Sequence, residues 1–297
     1  MQIPTNHITD YAEGGISLRS LTMGGKASSL TGLHRDDYYL FCLLTRGELR
    51  LCVDFSEQVV HTHEIGCILP GQVHQFVDAR DTEGWLLCVD GVHIGEANRQ
   101  TMQRFAFSRR VLPAPERQEA ELVVLFPMLH CRLTDPNAKA AVEREKNDAC
   151  INSSEREQAR KNAKDFARVA VDVFTEIVSQ NDETEKLNPR HRELLFRFTS
   201  LLDANIARNR QPAFYADRLN ITVGYLNEIL TASVGLSTSQ YINREIVLCI
   251  KRELAYSTLS IQEISRLLGF DDYAYFSRLF SKSVGISPSA FRANYHD

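Results

Sequence analysis

The chain has 297 residues, of which 43% are hydrophobic and 24% charged, an ordinary composition for a globular protein with room for two domains. No apolar run approaches the length of a membrane-spanning helix, and the amino terminus lacks a basic and apolar leader. We therefore expect a cytoplasmic protein rather than an exported or membrane protein. The seven cysteines form no Cys-x-x-Cys pair, which favours buried thiols over a disulfide framework or a zinc site.

Charge is distributed unevenly along the chain. The net charge of −4 argues, by itself, against a nucleic-acid partner. From residue 190 onward, however, 13 lysines and arginines stand against 10 acidic residues, whereas residues 1–189 carry 21 against 28. The basic carboxy-terminal third is compatible with nucleic-acid binding, with a non-specific affinity that is modest and weakened by salt.

Short β-strands are predicted in the first part of the chain. Tyr39–Thr45 and Glu48–Phe55 flank the turn-forming pair Arg46-Gly47, and this pattern predicts a β-hairpin. Loops are expected at Pro70-Gly71 and at Asp81–Gly84. Further short strands are predicted at Val59–His63, Ile65–Leu69, His74–Val77 and Trp85–Asp90. Short strands at such intervals are typical of a small antiparallel barrel.

Helices are predicted beyond this barrel. Residues 96–148 are expected to be mainly helical, with Glu119–Leu133 amphipathic, and Ser154–Val178 to form one long helix. The apolar stripe of the long helix needs a partner, either the barrel or the same helix of a second subunit. The predicted organisation is a β-barrel over 1–95, a helical extension and candidate dimerisation region over 96–180, a linker over 181–189, and a helical domain over 190–297.

The last third of the chain contains an internal repeat. Aromatic, apolar, small and glycine positions of Tyr225–Ser237 coincide with those of Tyr275–Ser287 at an offset of 50 residues. A short amphipathic stretch, Phe214–Leu219 or Ile261–Leu268, precedes each copy and ends at a turn. Two short helices joined by a tight turn predict a helix-turn-helix unit, used twice.

Capping residues set the predicted limits of the second helix in each copy. Thr222 and Asp272 are suited to cap its first turn, and Gly235 and Gly285 to end it. Ser237–Tyr256 is predicted to be one helix that holds both units at a fixed separation, so that one chain reads two half-sites one DNA turn, ~34 Å, apart. The alternative is a pair of helical hairpins in an α-helical core, which the duplication disfavours.

The repeat resembles the DNA-binding region of the arabinose-regulator (AraC/XylS) family of bacterial transcription regulators. The segments that carry the resemblance are Tyr215–Thr222, Ser260–Phe270, Tyr275–Phe280 and Gly285–Arg292. The resemblance implies an α+β protein, with a cupin-like amino-terminal β-barrel and helical extension followed by an all-α domain of two helix-turn-helix units joined by a linker helix. Pro70 to His74, a Pro-Gly-x-x-His sequence, is similar to the second half of the cupin signature.

Recognition helices read bases with their first turns, which defines the candidate DNA-binding residues. These are Val223, Gly224, Asn227 and Glu228 in the first unit and Tyr273, Ala274, Ser277, Arg278 and Lys282 in the second. Arg278 suits either guanine or phosphate, Asn227 suits adenine, and Glu228 suits cytosine but repels phosphate. Many relatives carry a basic residue at the position of Glu228, so we expect the second unit to contribute more affinity and the first more selectivity.

Aromatic and histidine side chains of the barrel are the candidates for a pocket that binds a small effector. They are His34, Tyr39, Phe41, His74, Phe76 and Trp85. The alternative is that the aromatic rings fill a core. His61 and His63 share a strand face, and His34 and His74 could approach each other from neighbouring strands, as metal-binding histidines do. The metal-binding cupin motif, however, requires a His-x-His and a Glu where this chain has only His34. We therefore expect no metal site.

The sequence thus predicts a transcription regulator whose partners are promoter DNA, a small effector, a second copy of the chain and, as a candidate, RNA polymerase. No catalytic residue, cofactor or membrane segment is predicted. Two other function classes remain open. One is a metal-dependent cupin enzyme with a helical appendage, and the other is an interaction protein without DNA binding.

Overall fold

The computed structural model describes residues 4–10, 12, 14–23, 32–108, 111–134, 153–181 and 188–296. The chain divides into two compact units, Pro4–Asp182 and a second unit built from Glu183–Asp297. The first contains a β-sheet with helices and the second is helical, which confirms the predicted α+β class. No helix among the described residues is both long enough and apolar enough to cross a membrane.

One sheet organises the first unit. Its strands are β1 (Thr5–Asn6), β2 (Ile16–Met23), β3 (His34–Asp36), β4 (Tyr39–Val53), β5 (Ser56–His61), β6 (Glu64–Ile68), β7 (Val73–Val89) and β8 (Val111–Pro113). The two long strands β4 and β7 pair antiparallel along their whole length. Strands β2 and β3 pair with β7, β5 and β6 pair with β4, β8 pairs with β6, and β1 pairs with β3.

The predicted hairpin at Arg46-Gly47 is wrong, because β4 continues through it. Register shifts between Leu44 and Glu48 bend the strand, so that its first half pairs with β6 and its second half with β5. Gly47 has φ +84°, and a Cβ there would collide with the backbone oxygens of Arg80 and Asp81 on β7. A glycine that reads as a turn in sequence is here a bulge in a continuous strand.

The loop predicted at Asp81–Gly84 is wrong for the same reason. The two predicted strands on either side of it are one strand, β7. Asp81 has φ +44°, which marks the irregularity, and the hydroxyl of Thr82 donates a hydrogen bond of 2.8 Å to the carbonyl of Glu48 on β4. Polar residues remain in the strand because the paired backbone of β4 satisfies them.

The bulges also decide which side chains face the barrel interior. Before the bend in β4 the interior core takes Leu40 and Cys42, and after it the core takes Leu49 and Leu51. Side chains alternate along a strand, so the register shift is what returns both halves to the same core. The other face of the first half, which includes Phe41, packs against helices.

Helices of the first unit cover that outer face of the sheet. They are α1 (Glu96–Ser108), α2 (Glu116–Thr134) and α3 (Ser153–Asn181). The stripe predicted on the long helix packs back on the barrel: the ring of Phe174 lies 5.1 Å from Phe41 of β4 and 6.3 Å from Phe126 of α2. The predicted helical residues 135–148 lie outside the described residues.

The second unit is a bundle of short helices around one longer helix. These are α4 (Pro189–Asn205), α5 (Pro212–Arg218), α6 (Val223–Val234), α7 (Thr238–Tyr256), α8 (Ile261–Leu267), α9 (Tyr273–Val284) and α10 (Pro288–His296). Helix α7 contacts α5 and α6 of the first copy and α8, α9 and α10 of the second. The single helix predicted between the two copies is therefore the scaffold of both.

Candidate nucleic-acid interface

The two helix pairs, α5–α6 and α8–α9, begin and end their second helices as predicted. The hydroxyl of Thr222 accepts a hydrogen bond of 3.1 Å from the amide of Tyr225, and the carboxylate of Asp272 accepts one of 2.7 Å from Ala274. Gly235 and Gly285 stop the helices in the left-handed conformation, at φ +69° and +87°. Each copy is a helix-turn-helix unit with both ends of its second helix satisfied.

Hydrogen bonds across the two turns align the copies more finely than the sequence did. The amide of Ile221 donates to the carbonyl of Ala216 at 3.0 Å, and Phe270 donates to Ser265 at 2.9 Å. These pairs match at an offset of 49 residues, whereas the caps that follow match at 50. The second turn thus contains one additional residue, Asp271, directly before the capping residue Asp272 of α9.

The first turns of α6 and α9 leave most of the predicted contact residues in solvent. Exposed residues are Val223, Gly224 and Glu228 in the first unit and Tyr273, Ala274, Arg278 and Lys282 in the second. Asn227 and Ser277 are half-buried. The opposite faces of both helices are buried in the bundle through Leu226, Ile229 and Leu230 or Phe276 and Phe280.

Asn227 already has a structural partner. Its side-chain oxygen accepts a hydrogen bond of 3.0 Å from the amide of Thr238, the first residue of α7. The matching pair in the second unit is Ser277 and Pro288, and proline has no amide hydrogen to donate. The two copies therefore differ at this position because the helix that follows needs a partner for its first amide in one copy only.

Arg278 is held only loosely in the free protein. Its guanidinium lies 3.6 Å from the carboxylate of Asp272, and the two side chains are 69% and 61% exposed. A surface ion pair of this kind contributes roughly 0–1 kcal/mol, so the arginine is readily redirected toward a ligand. The helix N-terminus beside it carries a partial positive charge, which also favours an anionic partner.

Arg210 connects the loop before α5, in the first helix-turn-helix unit, to the turn between α8 and α9 in the second. The sequence pattern did not predict this role. Its guanidinium donates to the carbonyls of Leu268 at 2.7 Å and Gly269 at 2.6 Å and lies 4.0 Å over the ring of Phe270. A Cβ at Gly269 would collide with the carbonyl oxygen of Ala207. The loop before α5 is thus docked on the turn between α8 and α9, in addition to the connection through α7.

Helix α7 is anchored at its start and buried along one side. A capping box between Ser237 and Gln240 satisfies its first turn. The ring of Tyr241 lies 5.7 Å from Phe198 of α4. Near its other end, the guanidinium of Arg292 on α10 donates to the carbonyl of Leu254 at 3.3 Å.

The six candidate effector residues do not line one cavity. Tyr39, Phe41 and Trp85 face the helices on the outer side of the sheet. Phe76 alone of the six lines the small apolar cavity inside the barrel. His34 and His74 pair with each other across β3 and β7. Strand alternation sends neighbouring aromatic residues to opposite faces of the sheet, and the effector-binding role of these residues stays a prediction.

Comparisons with known proteins agree with this geometry. Residues 215–294 match the family model described as helix-turn-helix domain. The chain is 32% identical over 81 residues to the arabinose operon regulatory protein of Salmonella typhimurium, covering 27% of this chain and 29% of that protein. It is 32% identical over 95 residues to the transcriptional activator RhaR of Pectobacterium carotovorum, covering 32% and 33%. The matched part therefore spans about a third or less of these relatives, which are transcription regulators.

Among solved structures, ToxT from Vibrio cholerae O395 aligns with 96% of this chain and 99% of its own, at 13% identity and a TM-score of 0.42. A likeness at that score supports no conclusion about function. The match over 215–294 includes α5 to α9 and nearly all of α10. The carboxy-terminal part of this chain is therefore a double helix-turn-helix domain of the AraC type.

Proposed function

We propose that this chain is a sequence-specific DNA-binding transcriptional regulator, in which α6 and α9 enter successive major grooves on one face of promoter DNA. The observation that carries the proposal is the pair of solvent-exposed first turns, both mounted on α7 and joined a second time through Arg210. Because α6 and α9 both pack on α7, the distance between them is fixed, as binding to successive turns of a DNA helix requires.

The second unit is proposed to supply more of the affinity. Arg278 and Lys282 are both exposed on α9, whereas the first unit presents the acidic Glu228 on the corresponding face. Cationic side chains gain affinity from phosphate wherever they reach it, and an acidic side chain is repelled by phosphate unless it meets a base-edge donor such as cytosine. Glu228 would then discriminate between sequences more than it strengthens binding.

The barrel is proposed to bind a small effector, for which its interior cavity of about 10 Å³ would have to widen, since that volume holds roughly one water molecule. Its interior cavity is lined mainly by aliphatic, cysteine and aromatic side chains, among them Leu40, Cys42, Leu51 and Phe76. An effector changes DNA binding only through its different affinity for the two arrangements of the protein. Action in the cytoplasm, pairing of two copies through the helical extension and contact with RNA polymerase belong to the same proposal, which assigns the chain no catalytic activity.

Selection of DNA from a genomic pool by the full-length protein tests the proposal. We expect enrichment of sites with two half-sites about one helical turn apart, and a specific affinity that falls as salt rises. The Arg117→Ala variant should select the same sites as the wild type, since Arg117 is a highly exposed residue on α2, outside the helix-turn-helix domain. Recovery of no common sequence at low salt would instead favour an interaction protein without DNA binding.

A further inference from the structure

Three buried side chains meet where β3 lies beside β7. His34, Asp36 and His74 are 5%, 2% and 0% exposed. Strand pairing sets His34 opposite His74, with ring centroids 4.3 Å apart, and the two-residue period of a strand brings Asp36 to the same face as His34. One nitrogen or oxygen atom from each residue lies within 4.8 Å of the other two.

The hydrogen bonds of the two histidines fix which ring nitrogen faces the cluster. Nδ1 of His34 lies 2.8 Å from the carbonyl of Gly32, and Nδ1 of His74 lies 3.2 Å from that of Gln72. A carbonyl oxygen only accepts, so each Nδ1 carries a proton and donates it. In the neutral rings Nε2 then carries the lone pair. Metal-binding histidines are held in the same way, by a hydrogen bond from the nitrogen that does not bind the metal.

Both Nε2 atoms face the same carboxylate. Nε2 of His74 lies 3.3 Å from Oδ2 of Asp36, and Nε2 of His34 lies 3.6 Å from Oδ1. Within the described residues, neither Nε2 of His74 nor Oδ2 of Asp36 has a hydrogen bond of acceptable geometry. A buried carboxylate oxygen and a buried imidazole nitrogen that face each other without a hydrogen bond are stabilised by a positive charge between them.

We propose that His34, Asp36 and His74 bind one divalent first-row transition-metal ion, of which Zn²⁺ is the representative. Two imidazole nitrogens and a carboxylate suit zinc and iron, whereas magnesium and calcium prefer oxygen ligands alone. The side-chain amide of Asn6 on β1 donates to Oδ1 of Asp36 at 3.1 Å and so orients the carboxylate. The ion would join β1 and β3 to β7.

The three side chains leave at least one coordination position of a tetrahedral zinc ion to a further ligand. All three ligands are at least 95% buried. The sequence predicts no metal because this chain lacks the second histidine and the glutamate of the metal-binding cupin motif. The third ligand is instead Asp36, two residues after His34, and only the pairing of β3 with β7 brings it to His74.

Metal titration of the full-length protein, first stripped with a chelator, tests the proposal. We expect the wild-type chain to bind one equivalent of Zn²⁺, measured by competition with a chromophoric chelator. Asp36→Asn and His74→Gln should each weaken binding at least about 10-fold, the typical loss when a supporting or ligand residue is removed. His61→Gln should bind like the wild type, because His61 is 58% exposed and lies outside the cluster.

Metal binding by the wild-type chain tests the proposal even where a variant fails to fold. Zn²⁺ should raise its thermal unfolding midpoint, because a ligand that binds only the folded state stabilises it. Co²⁺ should give the visible absorption of nitrogen and oxygen coordination. No binding by the wild type, or equal binding by the wild type and the folded Asp36→Asn variant, would overturn the proposal.

Discussion

At the scale of single residues, the two helix-turn-helix units separate side chains that hold the fold from side chains left for a ligand. Asn227 looks like an adenine reader in sequence, yet it satisfies the first amide of α7. In the second copy the matching residues are Ser277 and Pro288, and proline has no amide hydrogen to donate. The same position in the repeat has therefore been used for stability in one copy and left for other contacts in the second.

Asn227→Ala should lower the free energy of unfolding of the carboxy-terminal domain by about 1 kcal/mol, the usual cost of losing such a capping hydrogen bond. Ser277→Ala is the matched control and should change stability by much less. Urea unfolding followed by helical circular dichroism measures both. Unchanged stability in Asn227→Ala, together with lost discrimination at one base pair, would assign the side chain to DNA instead.

Arg278→Ala should weaken binding to a selected DNA site by about 10-fold or more, since a bidentate contact with guanine is worth ~1–3 kcal/mol. It should cost more affinity than Asn227→Ala in the same gel-shift titration. The salt dependence distinguishes the two roles of Arg278: loss of a phosphate contact lowers the salt slope by about 1, whereas loss of a base contact relaxes specificity. If the two variants weaken binding equally, the second unit is not the stronger contributor.

At the scale of elements, glycines with positive φ are required for different structural reasons. Gly285 ends α9 with open space around it, whereas a side chain at Gly269 would meet the carbonyl of Ala207. The first requires only a left-handed conformation, and the second also requires close approach of the loop that contains Arg210. The relative position of the two helix-turn-helix units is thus fixed by the backbone contact between Gly269 and Ala207 as well as by α7.

Gly285→Ala should cost roughly 1–2 kcal/mol of stability, the penalty of a left-handed alanine. Gly269→Ala should cost clearly more, because the loop before α5 must move away from the turn. The same displacement should weaken DNA binding for Gly269→Ala beyond the effect of Gly285→Ala, measured at a temperature where both are folded. If Gly269→Ala and Gly285→Ala lose equal stability and equal DNA affinity, the contact of the loop before α5 does not hold the second helix-turn-helix unit in position.

At the scale of the whole molecule, the chain has two compact units, and the linker at 181–189 stays a prediction. Each unit has its own buried core, so we expect residues 1–180 and 190–297 to fold as separate chains. The single tryptophan, Trp85, packs near Phe126 in the first unit and reports its unfolding by fluorescence. A separate 190–297 chain that lacks helical circular dichroism, or unfolds without cooperativity, would contradict this boundary.

The sequence by itself determined the carboxy-terminal helices, their caps and their glycine stops, because these depend on short-range spacing and on side chains a few residues apart. For that reason the predicted capping residues Thr222 and Asp272 and the predicted stops Gly235 and Gly285 are confirmed. Only the tertiary structure decided that Gly47 is a bulge rather than a turn, that Phe41 and Phe76 belong to different cores, and that Arg210 and Asn227 have partners remote in sequence. Strand register and contacts between distant segments depend on which backbones come together, and no local pattern encodes that. The meeting of Asp36 with His74 is the same kind of fact, since strand pairing alone joins them.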